Sequence, residues 1–383
     1  MPATHDGKGG GEQERAQVGP PGGVFVGGDA VRVIDDGPAV RTVKSSKWRS
    51  LFHRRSSDRA GSVEADRSDA PRTAFVLAGG GARGAAQVGM LAALIDHGLR
   101  ADAVYGVSVG ALNAAAYASD PTLQGIERLA GVWAGLQAAD VFPRARFAGP
   151  WRFLQQRDAV HGNEGIRKLI EDGLEFTNLE DTEIHFEVIA TSLNDGRPRW
   201  FDRGSAAEAI LASAALPALL PPVEIGGELF IDGGVVDNVP VDRAVANGAR
   251  RIFVLLCGPL HYTPRRYRRP VEAVLTAFFI AIHASFARSL DSLQPGVELI
   301  VFTVDTLPVS SYDDFSETEE LFVAGYANAS AVIDFWEKGG IGEIRESVFA
   351  TDGADGSQPN AEVPAFLRRA EIVGDESERA SST

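Results

Sequence analysis

The sequence predicts an α/β fold, and three observations carry that prediction. From Thr73 onward, short apolar runs alternate with segments of helical period, glycines punctuate the joints, and two strand–turn–helix units follow each other directly. Thr73–Ala78 (TAFVLA) is apolar and reads as a buried strand, and Gly84–His97 has the spacing of a helix that stops at Gly98. Ala103–Tyr105 then reads as a second strand and Val109–Ser119 as a second helix. Residues 120–183 are expected to be mostly helical and irregular, with Trp133, Trp151 and Phe153 as core or cleft aromatics. Ile184–Ser192 (IHFEVIATS) alternates at period 2 and meets Pro198–Asp202 through Asn194-Asp195-Gly196, a strong hairpin signal. Further strands are expected at Leu229–Ile231, Arg251–Cys257 and Val297–Val304, and helices at Ala206–Ala215, Val241–Asn247, Val271–Leu293 and Ser316–Glu337.

Composition bounds what such a fold can do. With 383 residues, 44% hydrophobic and 23% charged, the chain has the balance of a globular protein and room for one α/β domain with tails. Lys and Arg number 37 against 52 Asp and Glu, a net charge of −15, which argues against a protein that coats nucleic acid. A single cysteine, Cys257, excludes an intramolecular disulfide framework and a Cys-based zinc site. The N-terminus lacks the apolar stretch of a secretory signal, so a cytoplasmic location is expected. The longest uncharged apolar run, Ala273–Ala287, is shorter than the ~20 residues a membrane span needs and reads as a buried or interfacial helix. Composition divides the chain at 1–71, 72–349 and 350–383: a mostly disordered leader with a weakly β-like stretch at Val24–Val43, a folded domain, and a flexible acidic tail. Within the leader, 41–60 holds seven basic residues (Arg41, Lys44, Lys47, Arg49, Arg54, Arg55, Arg59) against Asp58. Were Lys47–Arg55 helical, Trp48, Leu51 and Phe52 would share a face, the pattern of an anchor on anionic lipid; a solvated tail explains the charges equally.

Three glycine-bearing sites carry the chemistry. Gly79-Gly80-Gly81-Ala82-Arg83-Gly84 lies between a strand and a helix, where bare backbone N–H groups suit negative oxygen. Those oxygens could be a pyrophosphate, since Gly79, Gly81 and Gly84 satisfy GxGxxG with Asp102 near the spacing of a ribose ligand. They could equally be the oxyanion of an acyl transfer. Gly106-Val107-Ser108-Val109-Gly110 is GxSxG between a strand and a helix, the context of a nucleophile elbow. A serine needs a base. His161, His185, His261 and His283 lie downstream, none in a loop after a late strand with an evident acid partner. The other candidate is Asp232, which ends a strand and precedes Gly233 and Gly234; it must be desolvated or bonded to Ser108 to act as a base.

GGGARG, GVSVG and DGG, in this order and with these intervals, resemble the patatin-like phospholipase family of Ser–Asp dyad lipid acyl hydrolases. The likeness runs from about Thr73 to Gly258, with weaker support to about Glu337, and includes Ala111-Leu112-Asn113-Ala114 and ASAALPALLPPVEI before DGGVVDNVPV. It implies a three-layer α/β/α sandwich with a mostly parallel central sheet in 72–349. It further implies Ser108 as nucleophile, Asp232 as its partner, and Gly79, Gly80 and Gly81 as the oxyanion hole with Arg83 nearby. Gly84, Gly106, Gly110, Gly233 and Gly234 would support the site. No metal or organic cofactor is implied, and the partner would be a phospholipid or another acyl lipid. Val107 and Val109 stand where smaller residues are more usual. Val271–Ser285 and Leu216–Pro222 are candidates for an acyl-chain wall or for core packing, and Arg265, Arg266, Arg268 and Arg269 around Tyr267 for head-group contact. A Ser-His-Asp esterase, a dinucleotide-binding protein and a non-catalytic lipid-binding relative remain as rival readings.

Overall fold

The computed structural model describes residues 23–27, 30–34, 72–142, 161–259, 270–291, 293, 296–304 and 314–338. The stretches 41–60, 265–269 and 350–383, together with Trp151, Phe153 and His261, lie outside them.

Among the described residues one sheet collects ten strands: β1 (Gly23–Gly27), β2 (Ala30–Ile34), β3 (Thr73–Leu77), β4 (Ala103–Gly106), β5 (His185–Ser192), β6 (Pro198–Phe201), β7 (Val223–Ile225), β8 (Glu228–Asp232), β9 (Arg251–Leu255) and β10 (Glu298–Phe302). Their order is β2-β1-β10-β9-β3-β4-β5-β8-β7, with β6 also paired to β5. The central run β10-β9-β3-β4-β5 is parallel, and antiparallel strands extend it on both sides. The helices are α1 (Ala85–Asp96), α2 (Val109–Ser119), α3 (Leu123–Gly135), α4 (Ala138–Val141), α5 (Glu164–Gly173), α6 (Ala206–Ser213), α7 (Val241–Ala246), α8 (Pro270–Asp291) and α9 (Thr318–Glu337).

The central strands are apolar at nearly every position because helices cover both faces of the sheet. Phe75, Leu77, Val104, Phe253 and Phe302 point to one side, against α1, α2, α3, α6 and α9. Ala74, Val76, Tyr105, Val254 and Val301 point to the other, against α7 and the C-terminal half of α8. This alternation makes the three layers. On the first side α1 and α9 pack backbone to backbone: a Cβ on Gly89 would lie 2.0 Å from the Phe322 carbonyl oxygen, and one on Gly325 2.1 Å from that of Ala86.

The stretch read as weakly β-like, Val24–Val43, holds most of β1 and all of β2, and β1 joins the main sheet by pairing β10, which the sequence did not indicate. A strand not anticipated, β7, forms a hairpin with β8 through Gly226 and Gly227, both at positive φ, as a two-residue turn requires. The apolar helix α8 is also less buried than a core helix: over Ala273–Leu290 its mean hydropathy is 1.6, yet 22% of that window is buried. By length and composition alone that window could cross a membrane, although its uncharged run is shorter.

Strand register positions the site. Gly106 at the end of β4 pairs with Val188, and Ala190, two residues further along β5, pairs with Asp232. Two steps beyond Gly106 therefore bring Ser108 level with Asp232.

Candidate active site

Ser108 sits on the tight turn between β4 and α2 with φ 54° and ψ −127°, a conformation L-residues avoid and one that projects the side chain out of the turn. Small neighbours make the turn possible. A Cβ on Gly110 would lie 2.2 Å from the Leu77 carbonyl oxygen, and one on Gly106 2.5 Å from the Cα of Ala111. The Ser108 N–H donates to the buried Ser213 hydroxyl at 2.8 Å, which ties the elbow to the end of α6. Helix α2 starts at the next residue, so its positive end faces any negative charge that develops at Ser108 Oγ.

Asp232 is 1% exposed. Its N–H donates to the Ala215 carbonyl at 2.9 Å and its own carbonyl accepts from the Thr191 hydroxyl at 2.8 Å, so the backbone beneath the carboxyl is pinned from two elements. Gly233 follows without room for a side chain, since a Cβ there would meet the Ile189 carbonyl oxygen at 2.3 Å. Oδ1 accepts the Gly234 N–H at 2.8 Å. Burial pushes the carboxyl up to about 7, and the Ser108 hydroxyl and the Gly234 N–H only partly oppose it. No cation contributes to the shift. Oδ2 closes no hydrogen bond of good geometry. The Ser108 hydroxyl thus stands within reach of the carboxyl without being locked to it.

The glycine turn lies over this pair. Of the three expected donors, the Gly79 N–H is given to Asn238 Oδ1 at 3.1 Å. Gly80 and Gly81 head the short 3-10 turn Gly81–Gly84, and their N–H groups have no partner among the described residues. Asn238, buried and absent from the sequence-derived site, also donates from Nδ2 to the Gly79 carbonyl at 3.4 Å. Its Oδ1 lies 2.7 Å from where a Cβ on Gly234 would be. One amide therefore joins the first motif to the third; it stands inside DGGVVDNVPV, six residues after Asp232. Gly80 packs on Cys257, whose thiol donates to the Ala78 carbonyl at 3.2 Å and is pushed up to about 12 by burial. The Arg83 guanidinium lies against Gly258, and Arg83 is not among the groups that shift Asp232. Beneath the turn runs a buried relay: Gln87 Nε2 donates to the carbonyls of Ala78 and Leu255 at 2.8 and 2.9 Å. Asn113 Nδ2 donates to Gln87 Oε1 and the Gly84 carbonyl at 2.8 and 2.9 Å, and Trp133 Nε1 donates to Asn113 Oδ1 at 2.8 Å.

A cavity of about 340 Å³ opens from Ser108 and Gly81. Its wall is apolar, with Leu112, Leu129, Trp133, Ile170, Leu174, Phe176, Leu216, Leu219, Leu220 and Phe315. The charged residues that border it, Arg128, Asp172 and Glu175, are exposed, so charge is confined to the rim. Of the two acyl-wall candidates, the segment beginning at Leu216 lines this cavity and α8 does not.

Among the described residues no histidine hydrogen-bonds to Ser108 or Asp232. His185 pairs instead with the buried Glu187 at 3.0 Å, at the opposite end of β5 from Asp232. Asp102 accepts the Thr73 N–H at 2.8 Å at the start of β4, at the far end of the strands from the glycine turn, which removes it as a ribose ligand.

Residues 75–245 match the family described as patatin-like phospholipase. The lysophospholipase nte1 of Aspergillus fumigatus is 27% identical over 280 residues, covering 66% of this chain and 18% of the relative. The lysophospholipase NTE1 of Mycosarcoma maydis is 29% identical over 298 residues, covering 70% and 15%. The chain thus spans less than a fifth of the length of these relatives. The solved human GIVD cytosolic phospholipase A2 aligns at 14% identity with a TM-score of 0.43, over 70% of this chain and 58% of that one, too distant a likeness to argue from. The glycine turn, the serine elbow and the acid turn all lie inside the segment that is similar to the patatin-like phospholipase family.

Proposed function

We propose that the protein is a serine ester hydrolase that cleaves the acyl ester of lipids with one chain to accommodate, lysophospholipids first among them, through a Ser108–Asp232 dyad. The observation that carries this reading is the buried Asp232 carboxyl, pushed up to about 7 with Oδ2 uncommitted beside the Ser108 hydroxyl. A carboxyl with that pKa is a competent base near neutrality, where an ordinary aspartate is not.

Ser108 Oγ attacks the ester carbonyl carbon as its proton passes to Asp232. The oxyanion takes the N–H groups of Gly80 and Gly81 at the positive end of α2. The C–O bond to the alcohol breaks, the proton on Asp232 leaves with that alcohol, and an acyl-enzyme remains on Ser108. Water then gives its proton to Asp232, attacks the acyl carbon, and releases the fatty acid with Ser108 restored. The apolar cavity supports one acyl chain over two, since about 340 Å³ lies at the low end of the ~300–1,000 Å³ of small-molecule sites. The names of the relatives point to the same class of substrate. The lipid would be met by a peripheral protein at the cytoplasmic side of a membrane, with the basic stretches 41–60 and 265–269 toward anionic head groups.

The test is product analysis by mass spectrometry after incubation with lysophosphatidylcholine, diacyl phosphatidylcholine and triacylglycerol. Wild type is expected to release fatty acid fastest from the single-chain lipid. Ser108→Ala and Asp232→Asn are each expected to lose about 10³-fold or more while remaining folded. Full turnover by either variant contradicts the dyad.

A further inference from the structure

We infer that the outer face of α8 is a docking surface for an anionic lipid membrane and brings the active site to its substrate. The inference rests on the acyl-lipid reading of the site.

Between Ala273 and Ala287 the exposed positions are Val274, Ala277, Ile280, Ala281 and Ala284. At 100° per residue they fall within an arc of about 120°, so the stripe that an ordinary surface helix fills with charge is here entirely apolar. Val274 and Ile280 are 47% and 46% exposed. The opposite face supplies the anchorage: Leu275, Ile282, Phe286 and Leu290 are buried, the last two in the second layer of the fold. The helix is thus held by one side and presents a dry face on the other.

Its place ties it to the chemistry. The Phe278 ring comes within 3.1 Å of where a Cβ on Gly234 would lie, and Gly234 is the donor that holds Asp232 Oδ1. A surface covering the apolar stripe therefore lies next to the acid turn. Charge complementarity names the occupant. Arg265, Arg266, Arg268 and Arg269 directly precede Pro270, the first residue of α8, in the sequence. An apolar helix with cations at its end fits the boundary between anionic head groups and acyl chains. A soluble protein partner has no such charge requirement.

The experiment uses the full chain and the double variant Val274→Asp with Ile280→Asp, both positions exposed and outside the dyad. Wild type is expected to co-sediment with phosphatidylcholine vesicles containing phosphatidylserine, and the variant to bind them at least about tenfold more weakly. Both are expected to hydrolyse p-nitrophenyl butyrate, a soluble monomeric ester, at the same rate, while the variant loses hydrolysis of vesicle lipid. Equal vesicle binding by the two proteins overturns the inference. So does a wild-type dimer that the variant dissociates without change in vesicle binding, because the stripe would then cover a second copy. If neither protein cleaves the soluble ester yet their vesicle binding differs as expected, the dyad falls and the docking face stands.

Discussion

At the scale of single residues, the site combines a strained serine with a destabilised acid, and each has a measurable signature. Asp232 is held above its ordinary 3.8, so the fold favours its protonated form. Its contribution to stability is complete at acid pH and is lost as pH rises through about 7. Asp232→Asn keeps the shape and removes the buried charge, and its amide can donate to Ser108 Oγ. Above pH 7 this variant is expected to be more stable than wild type, by up to ~4 kcal/mol from the distance between the two pKa values, with the difference closing toward pH 4. Urea titrations at both pH values measure it. Catalysis runs the other way: wild-type kcat/KM on a soluble ester is expected to fall about tenfold per pH unit below about 7 as the base is protonated. Asp237, which burial raises to about 6 in the same loop, is the control; Asp237→Asn is expected to leave that inflection in place. Asn238 is a positioning residue. Asn238→Asp keeps an acceptor for the Gly79 N–H but cannot donate to the Gly79 carbonyl and repels it, so kcat is expected to fall about 10–100-fold with KM little changed. Loss confined to KM contradicts that role. The turns that carry Ser108 and Asp232 could be read from the sequence because glycines advertise where a backbone must turn tightly. Asn238 and Ser213 could not, because what they do depends on contacts across 159 and 105 residues.

At the scale of elements, the strand–turn–helix units were legible because both faces of the central strands are buried and leave unbroken apolar runs. The predicted hairpin at Asn194-Asp195-Gly196 is present, with Thr191 opposite Pro198. β7 was not legible: three residues, one of them exposed, carry no period, and only the Gly226-Gly227 pair hints at it. The packing of α9 on α1 was also hidden, since a glycine inside a helix looks like a weakness until the partner is known. There Gly89 and Gly325 allow the two backbones to touch. Gly325→Val must push α9 away from α1 and is expected to lower stability by about 3 kcal/mol or more, read as an earlier thermal midpoint with the Ser108 chemistry intact below it. An unchanged midpoint contradicts backbone-to-backbone packing. The C-terminal end of α9 is tied to the sheet by Trp336 Nε1, which donates to Glu298 at 2.6 Å, and by Arg251, which pairs with the same carboxylate at 2.7 Å and stacks on the indole.

At the scale of the whole molecule, the three motifs meet because strand order and register bring them together, although Ser108 and Asp232 are far apart in sequence. β4 and β5 are parallel neighbours, β8 returns antiparallel along β5, and that pairing sets the acid level with the serine beneath a turn from the adjacent strand β3. Composition foresaw a globular protein of this size, and motif order foresaw the likeness of 75–245 to the patatin-like phospholipase family. Composition left α8 as a buried or interfacial helix, and 22% of Ala273–Leu290 is buried. The central claim is that Asp232 activates Ser108. It is tested most directly by the rate at which a fluorophosphonate labels wild type, Ser108→Ala and Asp232→Asn, followed as adduct mass on the intact chain. One adduct on wild type, none on Ser108→Ala, and labelling of Asp232→Asn slowed about 10²-fold or more is the expected result. Labelling of Asp232→Asn at the wild-type rate, or of Ser108→Ala at all, contradicts it.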